Sequence, residues 1–357
     1  MMIKQVGRGG SPRRIAIMVG AGHVPGINGV IMGAARAAGE LGWEAIGIRD
    51  GFEGLLHPEL YADGGLVDLS PQLIDGLDPS AAGLLGQAPR VDPFHVRRVN
   101  DDDMVEEIDV SDELLEKLKA KGVDALIAVV GGRGLSILYK LHLKGLKVVC
   151  VPRSIENEIA ATAVSFGFNS ALSFTIDLLD RVREAARAAR KIGVVEVLGD
   201  QTGWIALQAG IAVSADAILI PEIPCDLKTV ASMLKEKVTP ARPYGLVVVA
   251  EGARIVGNGE PEAKPSSLKA SLSPLATGGT SSGHVIRRSG EAADAVATGL
   301  QLLLAQETYP LVMGPWVRAG APTAVDRQLA MAYGAGAVRG IDAGNDGSMV
   351  AFVPPDV

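Results

Sequence analysis

The chain has 357 residues, of which 48% are hydrophobic and 21% charged, and a formal net charge of −7. This is enough apolar material for a large core and enough length for two domains, so disorder is not the default expectation. The negative balance argues against a nucleic-acid surface and fits a soluble cytoplasmic protein.

Strands and helices alternate along the chain. Arg14–Val19 reads as a short buried strand, 20–28 as a glycine-rich turn and Val30–Leu41 as a helix. A strand, a glycine turn and a helix start make the general form of a phosphate cradle. Trp43–Arg49 is a second strand, 57–80 is loop-like, and 81–90 is a second glycine-bearing loop ending in Arg90. Val110–Lys121 is amphipathic, with carboxylates first and lysines last, as the helix dipole prefers. The strand Asp124–Val130 runs into Gly131-Gly132-Arg133-Gly134 and a helix over Leu135–Leu143.

Beyond these come a long helix over Phe174–Ile192 with a basic stripe, strands over 193–198, 217–222 and 245–250, and helices over 204–214, 226–237 and 290–305. Residues 255–283, rich in Gly, Ser and Pro, read as a long loop. A strand and turn over 311–318, a helix from Pro322 and a closing strand over 348–353 complete the chain. The fold class is α/β, with two doubly wound, mainly parallel sheets. Cys150 and Cys225 sit beside apolar runs and read as core thiols, since two isolated cysteines make neither a disulfide framework nor a zinc cluster. No uncharged apolar run reaches about 18 residues, so no membrane span is expected. The basic N-terminus leads into a first strand rather than a signal peptide.

The chemistry concentrates in 149–159. The apolar run Gly145–Val151 ends at Pro152, and Arg153, Ser154, Glu156 and Glu158 follow. That is the pattern of a strand's carboxyl end, where open α/β sheets bind ligands. Residues two apart on an extended segment point the same way, so Glu156 and Glu158 are expected to face one ligand. A solvated acidic loop is the alternative reading.

Taken together, Pro25-Gly-Ile-Asn28, Asp50-Gly-Phe-Glu-Gly54, Gly131-Gly-Arg-Gly134, Pro152-Arg-Ser-Ile-Glu-Asn-Glu158, Gly167-Phe-Asn-Ser-Ala171, Val194–Gly199 and 318–327 resemble the phosphofructokinase family, from Arg14 to Phe352. The resemblance implies two Rossmann-like domains. One, for the donor (ATP or pyrophosphate), covers 1–167 and is completed by 317–357. The other, for the sugar phosphate, covers 168–316. Glu156 matches the base that takes the proton from the sugar hydroxyl, with Ser154 and Glu158 orienting it or the metal and Arg133 a further catalytic candidate. Gly22, Arg90, Gly131, Gly132, Gly134 and Arg153 match donor contacts. Ser154, Glu156, Lys191, Gly199, Glu251 and Arg318 match sugar-phosphate contacts. Mg2+ is implied, with Glu158 as a candidate ligand, and so is a homodimer or homotetramer.

The motifs also depart from the family. Arg133 stands where an acid helps hold magnesium, and Asp200 where an arginine is usual, which suggests a reciprocal charge swap. His23 replaces an acid, Tyr309 an arginine that reaches across a subunit boundary, and Pro315 a phosphate-binding histidine. Each lost charged hydrogen bond weakens phosphate binding by about 1.5–3 kcal/mol. Glu156 is one methylene longer than the family's aspartate, and a misplacement of about 1 Å can cost about 100-fold. Two functions follow: phosphoryl transfer to fructose 6-phosphate or a related sugar, or a catalytically silent member that binds nucleotide or sugar phosphate or regulates a partner.

Overall fold

The computed structural model describes residues 13–81, 83–87, 92–99, 104–256 and 290–354. Arg90 and most of the glycine- and serine-rich stretch over 255–283 lie outside the described residues. The chain divides into two compact units, one made of 1–170 with 318–357 and the other of 171–317.

The first unit is built on a mainly parallel sheet. Its strands lie in the order Ser348–Met349, Val148–Ser154, Ala125–Val130, Arg14–Val19, Glu44–Ile48 and Leu66–Asp68, with Phe166–Gly167 paired to Val148–Ser154. The neighbours are parallel, Ile15 against Ala45 on one side and Ala125 on the other, except that Leu66–Asp68 runs antiparallel to Glu44–Ile48. The central strands are continuous apolar runs because helices cover both faces. On one face Ala16, Met18, Leu126, Ala128 and Val148 pack with Leu114, Leu138 and Leu141 from the helices Ser111–Ala120 and Gly132–Leu143.

The helices Ile27–Glu40 and Ala324–Asp342 pack against each other at bare backbone. A Cβ on Gly33 would lie 2.2 Å from the Met331 carbonyl oxygen, and one on Gly334 would lie 2.1 Å from that of Val30. This contact ties the last helix of the chain to the first.

The second unit has a parallel sheet in the order Ala217–Leu219, Gly245–Ala250, Ile192–Val197, Thr308–Val312. Its core joins Val194, Val247 and Val249 to Val230, Leu234, Val296 and Leu300. Two helices here are capped by carboxylates. Asp226 accepts from the N–H groups of Lys228 and Thr229 at the start of Leu227–Lys237. Glu196, buried on its strand, accepts from Gly290 at 2.6 Å and Ala293 at 3.0 Å at the start of Glu291–Leu304.

Three expectations need correction, and one strand pair had none. The strand Val148–Ser154 does not end at Pro152 but runs two residues past it, with Pro152 opposite Val130. The helix expected from Leu135 begins at Gly132, with Gly131 as its N-cap, so Arg133 and Gly134 stand in its first turn. Residues 57–80 hold the helix Pro71–Asp75 as well as the strand Leu66–Asp68. The antiparallel pair Val96–Val99 and Val105–Ile108 was not foreseen, because its charged, exposed residues carry no apolar alternation. Both cysteines are free and buried, and burial pushes the thiol of Cys150 up to about 12 and that of Cys225 up to about 11. Among the described residues no helix is long and apolar enough to cross a membrane.

Candidate active site

Parallel strands place their carboxyl ends on one edge of the first unit's sheet, and three candidate loops meet there. They are the turn after Val19, the helix start after Val130 and the segment after Ser154. Gly20 donates to the Val129 carbonyl at 2.9 Å, which binds the first turn to the neighbouring strand. Gly22 follows with φ of 96°, a conformation that favours glycine, and the position of a Cβ there lies 3.7 Å from Arg153 Nη2.

Arg153 is 5% exposed. Its Nη2 donates to the Ala21 carbonyl, while Nε and Nη1 are buried with no hydrogen-bond partner among the described residues. Burial, and then the repulsion of Arg318, push its pKa down to about 10, with Glu158 acting in the opposite direction.

Ser154 organises the two carboxylates. Its hydroxyl donates to Glu158 Oε2 and accepts from the Glu156 N–H at 2.9 Å. The segment that carries Glu156 and Glu158 is not extended as expected. Asn157 between them has φ of 55°, held there by its side chain, which donates to the Ala163 carbonyl at 3.2 Å and accepts from the Ser165 N–H at 2.8 Å. That left-handed residue turns the chain, and the two carboxylates find different partners. Glu156 Oε1 accepts from Arg318 Nη2 at 3.1 Å. Arg318 closes the short 3-10 turn Gly314–Arg318, which also contains Pro315.

The remaining donor candidates stand at the start of the helix Gly132–Leu143. Gly131 leaves its backbone open, since a Cβ there would lie 3.6 Å from the Arg153 carbonyl oxygen. Gly132 has nothing within 4 Å of its Cβ position. Gly134 has a packing reason to be glycine: a Cβ would come within 2.6 Å of the Val130 Cβ. Arg133 is exposed and forms no ion pair among the described residues. A cavity of about 350 Å3 adjoins the first glycine turn, lined by His23, Val24, Pro25, Gly26, Ser80, Ala81 and Gly320 among others.

The other sugar-phosphate candidates belong to the second unit. Lys191 Nζ pairs with Glu307 at 2.6 Å, and that pairing holds the Glu307 carboxyl below its usual range. Gly199 has φ of 143°, and a Cβ there would lie 2.4 Å from the Thr202 carbonyl oxygen. Glu251 donates its backbone N–H to Val197 at 2.9 Å. Tyr309, in the strand Thr308–Val312, donates its hydroxyl to the Val182 carbonyl at 3.1 Å within its own unit. Asp200 belongs to the second unit and Arg133 to the first.

Two supporting residues lie within the quoted motifs, but the sequence showed no role for them. Asn28 is fully buried; it donates to the Asp78 carbonyl at 2.9 Å and accepts from the Leu84 N–H at 2.8 Å, and so fixes the loop beside the cavity. Asp326, also fully buried, accepts from the Ser170 N–H at 2.6 Å and its hydroxyl at 2.5 Å, at the start of the helix Phe168–Ala189. Thr323-x-x-Asp326 has the spacing of a capping box for its own helix, and that signal conceals the service Asp326 gives to another.

Magnesium demands hard oxygen ligands in near-octahedral array. Arg133 occupies the first turn where an acid was to be expected, Glu158 is held by Ser154 and Glu156 by Arg318. Among the described residues no group of three or more His, Cys, Asp or Glu side chains is placed to hold a metal. Magnesium held by one or two carboxylates with substrate phosphates would have here only the two engaged glutamates, beside the cationic Arg153 and Arg318, and the residues present do not fit it.

A family model described as phosphofructokinase matches residues 14–341. The chain is 35% identical over 345 residues to an ATP-dependent 6-phosphofructokinase of Chloroflexus aurantiacus, covering 97% of this chain and 88% of the relative. It is 34% identical over 353 residues to a pyrophosphate–fructose 6-phosphate 1-phosphotransferase of Amycolatopsis methanolica, covering 96% and 92%. Among solved structures, the phosphofructokinase of Saccharomyces cerevisiae superimposes with a TM-score of 0.69 at 24% identity, over 96% of this chain and 42% of that longer one, a likeness of fold. By sequence and by fold, the chain belongs to the phosphofructokinase family.

Proposed function

We propose that the chain is a phosphotransferase that moves a phosphoryl group from ATP or pyrophosphate to fructose 6-phosphate. The observation that carries this reading is the Glu156–Arg318 pair. Two residues 162 positions apart, each matching a family role, meet at 3.1 Å at the carboxyl edge of the sheet.

In this reading Glu156 takes the proton from the sugar hydroxyl. The freed oxygen attacks the terminal phosphorus of the donor, and the bond to the leaving phosphate breaks. Arg318 orients the carboxylate and contacts the acceptor's phosphate. Ser154, held between Glu158 and the Glu156 N–H, fixes the loop that carries the base. Gly22, Gly131 and Gly132 offer bare backbone to the donor, with Arg153 and Arg90 supplying charge. Gly134 keeps the helix start close to its strand. The match to the family also assigns Lys191, Gly199 and Glu251 to the acceptor, and the structure describes these three within the second unit alone. Phosphoryl transfer needs little covalent help from the protein, so positioning and charge neutralisation suffice. Assembly as a homodimer or homotetramer belongs to the same reading, which the exposed Trp316 and Leu302 of the second unit support.

The test is formation of fructose 1,6-bisphosphate from fructose 6-phosphate, with ATP and pyrophosphate run in parallel. Product with one donor identifies that donor. Binding of nucleotide or sugar phosphate without product from either donor contradicts the proposal and leaves the silent alternative.

A further inference from the structure

The edge, where no metal ligand set is found among the described residues, carries Arg133, Arg153 and Arg318 against the two carboxylates of Glu156 and Glu158. Arg153 is nine-tenths buried or more, yet uses only Nη2, on the Ala21 carbonyl, and leaves Nε and Nη1 idle among the described residues. A buried guanidinium with unmet donors costs free energy that a bound anion returns. Its pKa of about 10 keeps it charged at neutral pH.

A second arginine follows the neighbouring strand. Val130 and Pro152 are register partners on adjacent strands, so the residues that follow them, Gly131 and Arg153, are neighbours. Gly131 caps the 12-residue helix that carries Arg133 in its first turn, and no acid stands in that turn. The free N–H groups of the helix start therefore open beside the Arg153 backbone, and Arg133 in the same turn forms no ion pair among the described residues. On the other side Gly22 brings only backbone to Arg153. A guanidinium matches phosphate oxygens with two parallel N–H donors, which a metal-anchoring carboxylate cannot do.

We propose that this chain neutralises the phosphates of its donor with the guanidinium groups of Arg153 and Arg133, and binds that donor without a divalent ion anchored on protein carboxylates. The inference rests on the phosphotransferase reading above and goes beyond it in assigning the charge chemistry.

Isothermal titration of the full chain with inorganic pyrophosphate and with ATP, in magnesium and in EDTA and without acceptor, tests it. At least one donor is expected to bind in EDTA with an affinity within about threefold of that in magnesium, a difference below 1 kcal/mol. Arg153→Leu should weaken that donor by about 10- to 100-fold in both media, as expected for lost charged hydrogen bonds, with Arg153→Lys recovering part of it. Arg133→Asp, at an exposed position that folding tolerates, should make binding magnesium-dependent. Donor binding that rises about tenfold or more with magnesium in the unaltered chain overturns the inference and leaves the phosphotransferase reading standing, as does unchanged affinity in Arg153→Leu. No binding of either donor in either medium overturns both.

Discussion

At the scale of single residues, the site rests on buried polar groups whose partners lie far off in sequence. Asp326 shows this best. It holds Ser170 by two hydrogen bonds and is itself fully buried, and burial pushes its pKa up while the bonds from Ser170 oppose the shift. Asp326→Ala leaves two donors without an acceptor and should cost about 2–4 kcal/mol, read as a lowered denaturant midpoint. Tyr61 gives a pH signature. Burial first, and then its hydrogen bond to Asp50 at 3.0 Å, raise its phenol from the ordinary 10 to about 12. The folded protein thus holds this proton more tightly than the unfolded chain does. The stability it contributes is intact below pH 10 and is lost as pH rises through 12. Tyr61→Phe should flatten the fall in unfolding free energy between these values; an unchanged slope would assign that fall to other groups.

At the scale of elements, the parallel strands were legible because burial on both faces writes them as unbroken apolar runs, as in Ala125–Val130 and Gly245–Ala250. Their order across the sheet was not legible, since the partners of Arg14–Val19 are set by packing and not by neighbouring sequence. The pair Val96–Val99 and Val105–Ile108 escaped for the opposite reason, having little apolar surface to alternate. The candidate residues of the site were legible as types, but their geometry was not. Asn157 reads as an ordinary polar residue, and only the structure shows the positive φ that turns the chain between Glu156 and Glu158. The Gly33–Gly334 approach was hidden too, because either glycine alone reads as a weak point in a helix. Gly334→Ala must push the helix Ala324–Asp342 off Val30, and the overpacking should cost about 1–3 kcal/mol or more. Thermal unfolding would register this, and an unshifted midpoint would show that the helices can separate at no cost.

At the scale of the whole molecule, the first unit is discontinuous in sequence, and the returning segment brings Arg318 to Glu156 and Asp326 to Ser170. Both links between distant parts of the chain serve the edge where the chemistry is placed. The same edge carries Arg133 in the first turn of a helix and encloses Arg153, with the carboxylate of Glu156 held by Arg318. The central claim is that this carboxylate is the base. Its most direct test is the comparison of kcat for Glu156→Gln and Glu156→Asp with the unaltered enzyme at saturating substrates. The account predicts a loss of about 10²- to 10⁴-fold for Glu156→Gln, with Glu156→Asp retaining a substantial part of the rate because it keeps the carboxylate. A Glu156→Gln enzyme with unaltered kcat would contradict it.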